Sequence, residues 1–237
     1  MADETVAAGP SLVKRLAAEF IGTALLLAVI IGSGAQAQAL QIANKTPFAD
    51  LGIQVLVVAV CTGPVLTALI WLFGPISGAS FNPVVSIIGG LLDPKNAKWG
   101  EIGAYIVAQL AGAFVGAVVT QLMFSLPAVE ISTTARNTPG LWIGEVVATF
   151  GLMLVVFVTG RAGNGQYVPL AVGFYILGAI FFTSSTSFAN PAVTFGRIFT
   201  DSLCGIAPSS VLMFILMQLI GGGLAFAVIK FLTPDPK

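Results

Sequence analysis

The sequence predicts an all-α membrane protein, with six transmembrane helices and two half-length helices arranged as an inverted repeat. Three observations carry this. Of 237 residues, 57% are hydrophobic and 8% are charged, at a mean hydropathy of +0.98. Soluble domains carry about 25% charged residues, so ten acidic and ten basic side chains cannot clothe a soluble core of this size. Six apolar stretches approach or exceed the roughly 20 residues that cross a bilayer as a helix: about 14–35, 50–73, 99–124, 139–160, 167–184 and 208–232. Finally, Asn82-Pro83 and Asn190-Pro191 stand in matching settings. Each opens an apolar segment of about half the spanning length, at 82–92 and 190–199.

Along the chain, residues 1–10 are polar and expected to be disordered, and 11–237 read as one transmembrane domain. The first apolar run is too long and too far in for a cleavable signal. Breaks between spans carry Pro, Gly, Asn or charge: "NKTPFAD", "DPKNAKWGE", "STTARNTPG" and "RAGNGQY". The fifth span is short, with Pro169 near its start. Pro83 and Pro191 sit where a helix's first turn tolerates a missing N–H.

The chain also repeats itself. "AEFIGTALLLAVIIGSG" (18–34) resembles "GEVVATFGLMLVVFVTG" (144–160), matching Glu19 with Glu145 and Thr23 with Thr149. "YIVAQLAGAFVG" (105–116) resembles "FILMQLIGGGLAF" (214–226), matching Gln109 with Gln218. Each repeat, about 11–126 and 137–234, reads span, span, Asn-Pro half-helix, span. Three spans are an odd number, so the second repeat enters from the opposite side. Short-loop charge sets the orientation. An inside N-terminus puts Lys14, Arg15, Lys95, Lys98, Arg161, Lys230 and Lys237 in the cytoplasm and leaves Lys45, Arg136 and Arg197 outside.

Inversion brings the two Asn-Pro elements in from opposite faces, so their N-termini meet near the midplane. Half-length segments in corresponding positions of two halves point to a membrane binding or conduction site. Each helix N-terminus carries roughly half a positive charge, which repels cations and protons on a water wire. An Asn amide there has two donors for a passing solute's oxygen, besides capping its own helix.

These motifs resemble the major intrinsic protein family, the aquaporins and aquaglyceroporins. "SGASFNPVV" is similar to the family's first Asn-Pro-Ala loop and "SFANPAV" to the second. The Glu-x-x-x-Thr stretches and the third span's "AQLAG" match as well. The resemblance covers about 14–232. It implies pore residues Asn82, Pro83, Val84, Asn190, Pro191 and Ala192, and a homotetramer in which each subunit has its own pore. It also implies that Glu19 and Glu145 hold the half-helix loops through backbone N–H groups. Gln109 and Gln218 are expected to bond between helices.

Two departures shape the functional expectation. The first motif ends in Val84 rather than Ala, and that side chain is expected beneath Pro191. More consequential is Val193, which stands where the family places an Arg just after the second motif. By spacing, the filter comprises Thr62, Ser187, Val193 and a fifth-span residue: Gly178, or Ile180 if the intervening loop is shortened. Such a filter is wide, mildly polar on one side and apolar on the other. Arg197, one turn beyond Val193, either lines the outer vestibule or pairs with Asp201 or nearby carbonyls.

The expected function is therefore a passive channel in the cell (inner or plasma) membrane for water and small uncharged solutes. Glycerol-like polyols and metalloid hydroxides such as arsenite are the larger candidates. An ion- or proton-coupled secondary transporter is the alternative, with only Glu19 and Glu145 as coupling sites. Histidine is absent, and Cys61 and Cys204 lack metal-ligand spacing and read as packing residues. No metal, cofactor, enzymatic activity or nucleic-acid partner is expected; the partners are solutes, water and the bilayer.

Overall fold

The computed structural model describes residues 9–43 and 50–233. Lys45, Lys237, residues 1–8 and most of the "NKTPFAD" break lie outside that range. Eight α-helices form among the described residues: α1 (Leu12–Ala43), α2 (Leu51–Ser77), α3 (Pro83–Leu92), α4 (Trp99–Met123), α5 (Pro139–Thr159), α6 (Val168–Phe182), α7 (Pro191–Gly196) and α8 (Pro208–Leu232).

Local chemistry sets most boundaries. Asp50 caps α2 by accepting from the Ile53 N–H at 3.1 Å. At the other end Gly78 takes a left-handed conformation (φ 87°) and its N–H closes on the Gly74 carbonyl, a glycine stop. Asn82 and Asn190 are extended and accept from their own helix's first N–H groups, with Pro at the first helical position. Between α5 and α6 the chain stays wound through a π turn (Gly160–Asn164) and a 3₁₀ turn (Gly165–Tyr167), and Gly163 (φ 79°) makes the break within "RAGNGQY". α1 runs well past the expected 35, because "AQAQALQIA" is built from good helix formers. At 32 residues it is about 48 Å long, more than a bilayer core needs. α6, with 15 residues, is shorter than the core.

The two halves pack alike. In the first, α1 lies against α2 and α4; in the second, α5 lies against α6 and α8. α2 meets α6 across the middle, and each half-helix crosses over, α3 onto α8 and α7 onto α4. Large apolar side chains such as Phe174, Leu212 and Phe231 face outward, as lipid contact requires, while Glu19, Gln109, Glu145 and Gln218 are wholly buried. Polarity is inverted relative to a soluble domain.

The α2–α6 seam depends on backbone contact. A Cβ on Gly173 would sit 1.9 Å from Thr67 Oγ1 and 2.6 Å from the Gly63 carbonyl oxygen. Gly173→Val therefore forces the halves apart at a cost of about 1–3 kcal/mol or more. Size-exclusion profiles and thermal unfolding in detergent are expected to show loss of the folded species. Gly74→Ala, where nothing lies within 4 Å of an added Cβ, is expected to be harmless in the same assay.

Candidate functional site

Each half-helix is approached by a loop with unusual backbone. Ala79 and Phe81 have φ of 49°, and Ser187 and Ala189 have φ of 48° and 47°. These are left-handed conformations in non-glycine residues, three residues and one residue before each Asn. Such positions cost about 1–3 kcal/mol apiece and persist only where their surroundings enforce them. Two buried carboxylates do the enforcing. Glu19 accepts from the Ser80 and Phe81 N–H groups at 3.0 and 2.7 Å, and from the Ser77 hydroxyl at 2.7 Å. Glu145 accepts from the Phe188 and Ala189 N–H groups, both at 2.9 Å.

A further pair of side chains ties each carboxylate to its half-helix. Gln109 donates to Glu19 at 2.8 Å and to Ser86 Oγ at 3.1 Å, and Ser86 donates to the Asn82 carbonyl. Gln218 donates to Glu145 at 2.6 Å and to Thr194 Oγ1 at 2.8 Å, and Thr194 donates to the Asn190 carbonyl. Sequence reasoning did not single out Ser86 and Thr194. Their signal is present, since each is a hydroxyl residue four positions after its Asn, within reach of that carbonyl.

The two asparagines then lock each other's loops. Asn82 Nδ2 donates to the Ala189 carbonyl at 2.7 Å, and Asn190 Nδ2 donates to the Phe81 carbonyl at 2.8 Å. Their side-chain oxygens accept from Val84 at 2.9 Å, and from Ala192 and Val193 at 2.9 and 3.3 Å. An amide has two N–H donors, so each keeps one, and both residues line a central cavity. Pro83, Pro191 and Ala192 are buried in the first turns behind them. Val84 is also buried, with its Cγ1 2.6 Å from where a Cβ on Gly222 of α8 would lie. It therefore packs against α8.

The central cavity holds about 190 Å³, and loop residues Arg136 and Leu203 are part of its wall. A second, of about 520 Å³, is lined by Arg15, Asp93, Lys98 and Glu101. The two share Gly78, Ser80, Val85 and Val156 in their walls, so they adjoin. Thr62, Ile180, Ser187 and Val193 all line the first. Gly178 does not, which corrects the first spacing-based choice. The lining face of α6 recurs every four residues, at Val168, Val172, Ile176 and Ile180, and Gly178 is half a turn away. The hydroxyls of Thr62, Thr186 and Ser187 are buried without a protein partner, giving one polar side. Leu26, Ile30, Val58 and Ile176 make the rest of the wall apolar.

Arg197 also lines this cavity. α7 tightens into a 3₁₀ turn at Arg197–Phe199, and the guanidinium stacks on the Phe188 ring with Cζ 3.4 Å from its centroid. Its Nε donates to the Cys204 carbonyl. It makes no ion pair with Asp201, which instead accepts from the Thr133 N–H and hydroxyl. Cys204 is buried beside it and donates its thiol to the Ile30 carbonyl, while Cys61 is half-buried; both are free thiols. Arg136, Phe188 and Cys204 are cavity residues that spacing could not find, because loops far apart in sequence deliver them. No group of metal-ligating side chains occurs among the described residues.

A family model described as "Major intrinsic protein" matches residues 7–189. The chain is 39% identical over 226 residues to the aquaglyceroporin AqpS of Rhizobium meliloti (strain 1021), covering 95% of this chain and 93% of that one. It is 31% identical over 254 residues to the aquaporin AqpM of Methanothermobacter marburgensis, covering 95% and 99%. The X-ray structure of the aquaglyceroporin from Plasmodium falciparum superposes with a TM-score of 0.71 at 22% identity, over 94% of this chain and 97% of that one. That likeness establishes the fold.

The loop clamp predicts the effect of Glu145→Gln. One carboxylate oxygen becomes an amide donor, facing either a backbone N–H or the Gln218 amide. Leaving a buried donor unmet costs about 1–3 kcal/mol. A lower unfolding temperature and reduced solute flux in proteoliposomes are the expected results.

Proposed function

The chain belongs to the major intrinsic protein family, whose members conduct water and small solutes, and we propose that it is a passive, broad-bore conduit for small uncharged molecules. Its solutes are water, glycerol-like polyols and neutral metalloid hydroxides such as arsenite. One observation carries this reading: Thr62, Ile180, Ser187 and Val193 meet at one cavity with no aromatic and no cation among them. With Val at 193 in place of a long guanidinium, the opening is wider and keeps hydroxyls on a single side. That suits a solute with hydroxyls on one edge and carbon or metalloid on the other. The 39%-identical relative named as an aquaglyceroporin agrees with it.

Conduction follows from the donors at the middle. A solute oxygen that leaves the Thr62–Ser187 level meets the remaining N–H of Asn190 and then that of Asn82. Accepting from both turns its own donors outward. Two adjacent waters oriented this way cannot pass a proton along. The converging helix N-termini add a positive potential against cations. No Asp or Glu lines the central cavity, and Glu19 and Glu145 are occupied by loop N–H groups, which argues against the coupled transporter. In this reading the lysine-bearing face is cytoplasmic, with both chain ends on that side. The cell membrane holds four copies, each with its own pore.

Val193→Arg tests the bore. In proteoliposomes, glycerol and arsenite flux is expected to fall at least about ten-fold while water flux persists; unchanged solute flux in folded protein would refute the filter. Passive conduction further predicts that glycerol flux stays the same when proton and sodium gradients are collapsed. It also stays level from pH 5 to 8, since no group titrating there lines the central cavity.

A further inference from the structure

The mouth beyond Val193 has an unbalanced charge. Arg136 and Arg197 are the only charged residues that line the central cavity among those described. Both lie over Phe188, with Cζ 4.9 and 3.4 Å from the ring centroid. Arg197 is 95% buried, at 5% exposure. Neither makes an ion pair. The acids of this region are spent elsewhere: Glu145 on the Phe188 and Ala189 N–H groups, Asp201 on Thr133.

Their donors are also only partly used. Arg197 commits Nε to the Cys204 carbonyl and leaves both terminal nitrogens uncommitted. Arg136 commits Nε to the Gly205 carbonyl at 2.9 Å and Nη2 to the Leu203 carbonyl at 3.0 Å, which leaves Nη1. Burying a cation without a counter-charge is costly. Burial accordingly holds the Arg136 guanidinium below its ordinary range. The arrangement is nevertheless rigid. Phe188 packs edge-on against Phe214, 5.1 Å between centroids, in a buried cluster with Ile206, and the carbonyls fix both side-chain stems. A planar guanidinium held on a ring presents a fixed fork of N–H groups, the complement of a planar two-oxygen anion.

We propose that Arg136 and Arg197, seated on Phe188, form a binding site for small monovalent oxyanions at this mouth of the pore. The chemical class is a carboxylate or a singly ionised oxyacid small enough to enter a cavity of about 190 Å³. Such an anion supplies the missing negative charge and accepts from the free Nη groups. It stands directly above the Val193 level, so a bound oxyanion occupies the path of neutral solutes. The site goes beyond passage of uncharged molecules and is independent of which of them permeates.

Formate is the probe. Purified full-length protein in nanodiscs is unfolded thermally while formate replaces chloride at constant ionic strength. Unfolding temperature is expected to rise saturably. Arg197→Gln and Arg136→Gln should each raise the half-saturating concentration roughly ten-fold or more, since each removes a charge-assisted donor. Lys14→Gln, on the far face, should leave it unchanged. A rise that is absent, or that survives in both Gln variants, overturns the site. If Arg197→Gln is not monodisperse, Arg197→Lys keeps the charge and loses the fork; unweakened formate binding in that variant overturns the bidentate geometry. Neutral-solute flux without formate is a separate readout, so failure of the conduit reading and failure of this site are told apart.

Discussion

Two buried carboxylates hold the structure together at its most improbable point. A backbone that stops halfway across a membrane exposes N–H groups that lipid cannot satisfy. Glu19 and Glu145 meet four of them directly. Charge-assisted bonds are about twice as strong as neutral ones, and here they fix left-handed residues that would otherwise relax. Without those carboxylates neither loop has a reason to adopt its path, and the half-helices lose their anchor. The glutamines on α4 and α8 extend the clamp to Ser86 and Thr194, so each half-helix is fixed at the loop and one turn in.

The pore donors depend on that anchoring. Each Asn spends its oxygen on its own helix and one N–H on the opposite loop. The reciprocal cross-bonds mean neither half-helix is positioned alone. One donor per Asn remains at a fixed place, and in the proposed conduit it is a preorganised contact for solute whose ordering cost was met on folding. The wall opposite is apolar, so a solute exchanges only part of its hydration for protein contacts. In the proposed conduit, selectivity rests on the width and polarity that Thr62, Ile180, Ser187 and Val193 give the cavity wall.

The spans were legible because hydropathy reports lipid burial directly, and five of the six began within one residue of the expected positions, at α2, α4, α5, α6 and α8. α1 overran its expected end because its last turns are helix-forming yet too polar to register as a span. The pairing of Glu19 with Glu145 and of Gln109 with Gln218 could be read as a repeat, since both members of each pair perform the same bonding. Gly178 illustrates the limit. Counting back from Asn190 assumes a loop length, whereas the face of α6 is set by its own helical period and by contact with α2. Ile180 lines the cavity because it continues the face that Val172 and Ile176 already present to it.

The sequence by itself determined the membrane setting, the inverted repeat and the two Asn-Pro elements, because all three are written in local composition and spacing. It also determined that the residue after the second motif is Val193, an uncharged side chain. Only the tertiary structure decided what surrounds that residue. Arg136 comes from the loop before α5, Arg197 from the turn after α7 and Phe188 from the loop before it. No period along the chain relates the three. Their meeting is set by chain crossings at the mouth, where the Thr134 carbonyl accepts from the Ala207 N–H and the Ile198 carbonyl from that of Ser132. Local sequence encodes helices and turns; which cations come to face one cavity is a property of how the loops close over it.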